Sequence, residues 1–177
     1  MNIIETRRSI RKFQDKPVGK EIIEEIIKEA SFAPSWKNCQ PVRYIAVQNR
    51  EVLQKIADTC VLGFVPNGKI IARCPILIIE TIVHGRSGFE RDGSFTTSKG
   101  DRWEVFDAGI AAQTLCLAAT EHGLGSVIMG IFDETKLAET ASIPEGQIAA
   151  AMIAMGYPAE DPHMPKRKAA GDLLSWR

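Results

Sequence analysis

The segment running roughly from Trp103 to Glu121 constrains this chain more than any other, because it has helical length yet is apolar nearly all round. An amphipathic surface helix needs one apolar stripe, whereas a helix without a polar face must be covered on several sides. Ala108, Gly109, Ala111 and Ala112 give this one a thin face that lets another helix approach closely, and Phe106, Leu115 and Leu117 supply bulk elsewhere. Gly123, Leu124 and Gly125 read as its C-terminal cap. The fold must therefore bury it, within one subunit or between two.

Short β-rich runs at Val42 to Gln48, Pro75 to Val83, Gly125 to Met129 and Ala149 to Met155 have the length of buried strands and suggest one central sheet. Residues 20 to 32 place Ile22, Ile23, Ile26, Ile27 and Ala30 on one stripe opposite Glu21, Glu24, Glu25, Lys28 and Glu29, which predicts an amphipathic helix stopped before Pro34. Residues 85 to 102 hold Gly85, Gly88, Gly93 and Gly100 among polar residues and predict a long irregular loop, a candidate lid. With no internal repeat or linker, one domain over residues 1–177 is expected, large enough to fold without a disulfide or metal.

Lys plus Arg and Asp plus Glu each total 22, so overall charge gives no case for a nucleic-acid partner, and no nucleic-acid-binding module is present. No apolar run reaches membrane-spanning length, and no membrane association is expected. Cys39, Cys60, Cys74 and Cys116 show no CxxC and no zinc spacing, and no secretory leader precedes them, so a reducing cytoplasm is expected. His84, His122 and His163 are scattered, read as surface or loop residues, and predict no metal site. Cys39 reads as a packed thiol and Lys99 to Arg102 as a solvated charge run.

Two segments carry candidate chemistry. Arg7, Arg8, Ser9, Ile10, Arg11, Lys12 and Phe13 concentrate four cations and a hydroxyl beside apolar anchors, at the end of a short N-terminal helix. Planar guanidinium groups and a hydroxyl could hold a phosphate, and a solvated basic turn is the plainer alternative. Pro34, Ser35, Trp36, Lys37, Asn38, Cys39, Gln40 and Pro41 make a rigid loop whose amide side chains could meet the donors and acceptors of a heterocyclic ring edge. Taken singly, it reads first as a helix-to-strand connection.

Taken together, these segments resemble the nitroreductase family, whose members carry an RRSIRxF-like start and a PSxxNxQP-like loop at about this separation. The resemblance continues through Asp107, Ala108, Gly109 and Gln113 to Gly123, Leu124 and Gly125, then Ile128 to Asp133, Ala154 to Pro158, and the basic run Pro165 to Lys168, covering nearly the whole chain. It implies an α+β nitroreductase-like fold with a central mixed sheet of four or five strands flanked by helices. It also implies an intertwined homodimer with the Trp103 helix in its interface.

The implied cofactor is FMN, with NADH or NADPH as electron donor and a small nitroaromatic, quinone or related molecule as acceptor, in a ping-pong reaction through flavin N5. Arg7 and Ser9 would meet the phosphate and ribityl chain, with Arg8 beside them and Arg11 nearer the ring. Ile128, Met129 and Gly130 would cover one face of the ring, the Gly130 backbone N–H aimed at N5. Arg167 and Lys168 would return to the phosphate. Pro34, Ser35, Trp36, Asn38 and Gln40 would come from the partner subunit; Trp36 departs from the smaller polar residue the family pattern suggests and either shapes the substrate pocket or fills the interface. No side chain need act as a nucleophile, and the absence of GxGxxG means that the nicotinamide would visit the flavin itself. The rival expectation is a flavin-binding redox sensor or partner protein without significant turnover.

Overall fold

The structure is a computed structural model and describes residues 2–177. A four-stranded sheet forms its centre, from β1 (Val42–Val47), β2 (Ile76–Val83), β3 (Gly125–Met129) and β4 (Gln147–Gly156), in the order β1-β2-β4-β3. Every pairing between these strands is antiparallel. The expected mixed sheet is thus corrected within one chain: the parallel element is a single bridge between Ser9 and Ser126 at the β3 edge. The connections explain the direction, since the helices between β1 and β2 carry the chain out and back along one face rather than in a right-handed crossover to a parallel neighbour.

Both faces of the sheet are covered, so β2 reads as a continuous apolar run with one charge in it. On one face Leu77, Ile79, Met152 and Ala154 pack against α3 (Arg50–Thr59), α4 (Val65–Ile71) and α6 (Glu134–Ala141) through Leu53, Ile56, Ile71 and Leu137. On the other, Ile76, Ile78, Ile153 and Met155 pack against α2 (Lys20–Ala30) and α5 (Arg102–Glu121) through Ile26, Leu115 and Ala119. Each such fully buried aliphatic side chain contributes roughly 1.5–3 kcal/mol. Short helices at either end, α1 (Ile3–Thr6) and α7 (Ala170–Leu173), complete the chain.

α5 is the expected long helix, ended as expected at Gly123, which adopts φ +73° while Leu124 N–H donates to Ala119 O at 2.8 Å. Its small residues do not share one face. Ala108, Ala111 and Ala112 are buried, Ala112 within the core against the sheet, whereas Gly109 faces outward with exposed Val105, Phe106 and Gln113. Residues 85–101 form no helix or strand, as predicted, beyond one bridge between Phe89 and Phe95.

A slot at the end of the sheet positions the N-terminal arm. Gly125 and Gly156 face each other across β3 and β4. A Cβ on Gly125 would run into Ile10, and one on Gly156 would come within 2.7 Å of Pro75 and 3.1 Å of Phe13. The two glycines thus leave room for Ile10 and Phe13 to seat on the sheet. Ile10 N–H donates to Ser126 O (3.0 Å), Gln14 N–H to Tyr157 O (2.9 Å) and Ala159 N–H to Lys12 O (3.0 Å).

Candidate functional site

The seated arm carries the cations. Arg7, Arg8 and Ser9 are half-buried and Arg11 is exposed. Among the described residues no carboxylate lies within ion-pair distance of Arg7, Arg8 or Arg11, and the Arg7 guanidinium makes no hydrogen bond. Arg8 Nη1 donates to the carbonyls of Glu5 (2.6 Å) and Arg7 (3.0 Å), and Arg11 Nη1 donates to Ser9 O (3.2 Å). Glu160, which sequence reasoning missed, accepts from the backbone N–H of Arg11 (2.7 Å) and of Lys12 (3.2 Å). It fixes the arm's backbone and leaves the guanidinium groups free for an anion.

Ser126 lies beside Ser9 across the parallel bridge, and its Oγ is buried without a partner. Further along the same strand Met129 is buried and Ile128 is exposed. Gly130 is exposed just past the strand, and a Cβ there would meet nothing within 4 Å. No packing within this chain requires glycine at 130, unlike at 125 and 156. Asp133, at the end of the predicted ring-contacting turn, caps α6 by accepting from Lys136 N–H at 3.1 Å.

The loop at 33–41 stands at the opposite edge of the sheet, leading into β1. Three strand spacings, roughly 14 Å, separate that edge from β3. The structure therefore brings Arg7, Arg8, Ser9 and Arg11 together with β3, but does not bring Pro34, Ser35, Trp36, Asn38 or Gln40 to them within one chain. Arg167 and Lys168 lie on an exposed C-terminal tail and make no hydrogen bond or ion pair among the described residues.

The loop itself is held in an unusual conformation. Lys37, Asn38 and Gln40 have φ of 45°, 54° and 46°, the left-handed region that costs a non-glycine residue roughly 1–2 kcal/mol. Ser35 Oγ accepts from Gln40 N–H at 2.9 Å, and Asp107 Oδ2 on α5 accepts from Trp36 N–H at 2.9 Å and from Ser87 Oγ at 2.7 Å. One turn earlier, Glu104 accepts from Gly85 N–H at 2.7 Å and faces His84 Nδ1 at 3.1 Å. Both carboxylates are buried. Sequence reading passed over Glu104 and named Asp107 only as part of the family-like segment, with no role; their spacing of three residues in an otherwise apolar helix was the available signal.

The Trp36 ring lies 4.8 Å from Trp103, which contacts Phe106 edge-on at 5.3 Å. Trp36 thus packs within its own chain's aromatic cluster, with its Nε1 buried and without a partner. Burial, then the charge of Asp107, pushes the Cys39 thiol above its ordinary value, so it is no thiolate nucleophile. His84 and His122 pair with Glu104 and Glu29 rather than with each other, and no cluster suited to a metal exists among the described residues. A third buried carboxyl, Glu80 on β2, has Oε1 without a partner, and burial pushes its pKa up to about 8.

The fold is thus an antiparallel α+β architecture with a cationic arm at one edge of the sheet and a strained polar loop at the other. Comparison with known proteins places it further. The nitroreductase family's sequence profile matches residues 4–157, and the chain belongs to that family.

A protein of Methanothermobacter thermautotrophicus, provisionally named an NADH dehydrogenase/NAD(P)H nitroreductase, is 37% identical over 166 residues, spanning 92% of this chain and 78% of its own. An FMN reductase [NAD(P)H] of Bacillus subtilis is 30% identical over 162 residues, spanning 86% of this chain and 63% of its own. A solved structure from Exiguobacterium sibiricum, provisionally a nitroreductase and in complex with FMN, shares the fold with a TM-score of 0.85 at 19% identity, over 99% of this chain and 95% of that one.

Proposed function

We propose that this chain is an FMN-dependent oxidoreductase that draws on NADH or NADPH to reduce nitroaromatic, quinone or related small acceptors, working as an intertwined homodimer. The arm carries this reading: guanidinium groups of Arg7, Arg8 and Arg11 without carboxylate partners among the described residues, on a backbone pinned to the sheet. The names of the Methanothermobacter and Bacillus relatives support it.

The residues present fit FMN. Arg7, Arg8 and Ser9 supply donors for a phosphate and a ribityl chain, beside the unpartnered Ser126 Oγ. Gly130 lies four residues along the strand from Ser126, roughly 13 Å away, and its open surroundings admit a planar ring against the backbone. Bound there, FMN would supply the redox chemistry, taking hydride at N5 from the nicotinamide and returning it to the acceptor. Arg11 would stabilise negative charge gathering on the ring's N1 and O2 edge, and the Gly130 N–H would be the donor for N5. Exposed Ile128 would form the ring-facing wall, while Arg167 and Lys168 would close on the phosphate. Met129, expected beside Ile128, instead points to the other face of the sheet and is buried in the α3, α4 and α6 core, so it can meet the ring only through its backbone.

The homodimer reading rests on the sheet edges. Pro34, Ser35, Trp36, Asn38 and Gln40 sit across the sheet from the arm, so a site using both takes the loop from a second copy. Val105 and Phe106 on the outer face of α5, and Leu173, Leu174 and Trp176 on the tail, are exposed apolar surface suited to that contact. No helix among the described residues is long and apolar enough to cross a membrane, and the four free cysteines suit a reducing cytoplasm.

The test is the visible spectrum of the purified protein before and after anaerobic NADH or NADPH. Flavin bands that bleach, then return with a quinone or nitroaromatic, support the enzyme. Bands that persist unbleached indicate a flavin-binding sensor, and a colourless protein that takes up no added FMN refutes the flavin assignment.

A further inference from the structure

Asp107 on α5 accepts hydrogen bonds from both irregular segments near the proposed site. A single buried oxygen, Oδ2, accepts the Trp36 backbone N–H of the 33–41 loop and the Ser87 hydroxyl of the 85–102 segment. The first bond acts on a loop that resists its own geometry. Three of the four residues at 37, 38, 39 and 40 are left-handed without being glycine, so this loop relaxes unless something outside it holds it. Ser35 clasps it internally through Gln40 N–H, and Asp107 provides the anchor from the rigid helix α5.

The second bond ties that anchor to the long segment. A further contact bridges the same pair of segments: the Lys37 ammonium meets Glu90 at 3.2 Å, and Glu90 is held within its own segment by the Thr96 hydroxyl at 2.6 Å. Trp36 packs on Trp103 at the start of α5, and the Trp103 Nε1 in turn donates to Thr97 at 2.8 Å. The ion pair is exposed and contributes little. The buried carboxylate bonds are the strong link, because a charged acceptor out of water makes shorter and stronger hydrogen bonds than a neutral one.

We propose that Asp107 is a positioning residue. It holds the 34–40 loop in the conformation that presents Asn38 and Gln40 to the cofactor, and it couples that loop to the 85–102 segment, so that cofactor retention and acceptor affinity share one carboxylate. This rests on the flavin reading above. Asp107 touches neither cofactor nor reacting atoms; it acts through Trp36 and Ser87.

The experiment compares the wild-type dimer with Asp107→Ala, Asp107→Asn and Ser87→Ala, measuring FMN dissociation by fluorescence and kcat and KM with a simple benzoquinone. Asp107→Ala weakens FMN retention about tenfold or more while size-exclusion still shows a dimer, the loss expected for a hydrogen bond to a buried charged group. Asp107→Asn, whose amide oxygen accepts the same two bonds, recovers most of the affinity. Ser87→Ala, which cuts only the second bond, keeps FMN affinity within about twofold and raises the quinone KM about fivefold with kcat little changed.

A folded Asp107→Ala dimer with wild-type FMN affinity overturns the proposal. So does a wild-type quinone KM in Ser87→Ala, which decides the coupling even where Asp107→Ala fails to fold. Failure of the flavin reading looks different, since the wild-type protein itself would then take up no FMN.

Discussion

Replacing Glu80 by Gln should flatten the pH dependence of stability between pH 4.5 and about 8. Glu80 sits at the centre of β2, about 1% exposed, with Tyr44 and Ala151 as its neighbours across the strands. Its Oε1 has no partner. Burial raises the folded-state pKa from 4.5 to about 8, so between these values the unfolded chain is ionised while the native protein still holds the proton. Stability is then full below pH 4.5, falls as the pH rises towards 8, and levels off above it.

Each pH unit in that window is worth ~1.36 kcal/mol, so the native state loses on the order of 3 kcal/mol by pH 7 and on the order of 5 kcal/mol by pH 9. For a chain of this length, the larger figure corresponds to a fall in Tm of roughly 10 °C or more. The assay is thermal unfolding from pH 5 to pH 9 at fixed protein and FMN concentration, because ligand binding and association also move Tm. The slopes are compared rather than the absolute values, since the introduced amide brings a buried donor of its own. Wild-type and Glu80→Gln curves that run parallel across this range refute the reasoning, for they would show that Glu80 finds a partner or water when ionised.

Three further outcomes follow from the arm and its strand. Arg7→Ala or Arg11→Ala should purify with less bound FMN, and fully yellow dimers of both would count against the anion-anchor assignment. Gly130→Ala should leave Tm within about 1 °C, since a Cβ there meets nothing in this chain, yet slow bleaching by NADH if the backbone at 130 faces the ring; unchanged bleaching removes Gly130 from the site. Gly125→Ala, by contrast, forces a Cβ into Ile10 and should cost about 1–3 kcal/mol, with loss of FMN as the arm lifts; wild-type stability and FMN content would show that the glycine slot does not seat the arm.

Much of the scaffold was legible because its periodicity was strong. The four strands, α2 and α5 all appear where apolar runs and stripes placed them, and the Gly123 cap was readable from glycine's freedom at positive φ. Helix α3 escaped notice although Asn49 caps it through Glu51 and Val52 N–H and its buried residues Leu53, Ile56 and Ala57 follow helical spacing. That signal was present and went unused. Strand direction was a different matter, because alternation of helices and strands fits either a crossover or a return along the same face, and only the connection's path separates them.

The buried carboxylates show why the site was harder to read than the fold. Glu80, Glu104 and Asp107 look alike in sequence, as single acidic residues within apolar runs, and what separates them is the donors that surrounding backbone delivers. Glu104 and Asp107 receive donors from segments that have little regular structure of their own, whereas Glu80 lies between β1 and β4, at a register shift in the β2–β4 pairing, and its Oε1 receives none. The conformation of the loops at 33–41 and 85–102 is therefore set largely from α5, one helical turn presenting two anchors, rather than by the loops' own residues. An apolar helix buried against the sheet is rigid enough for that task. The feature that most constrained the fold also fixes the segments on which cofactor and acceptor selectivity would depend.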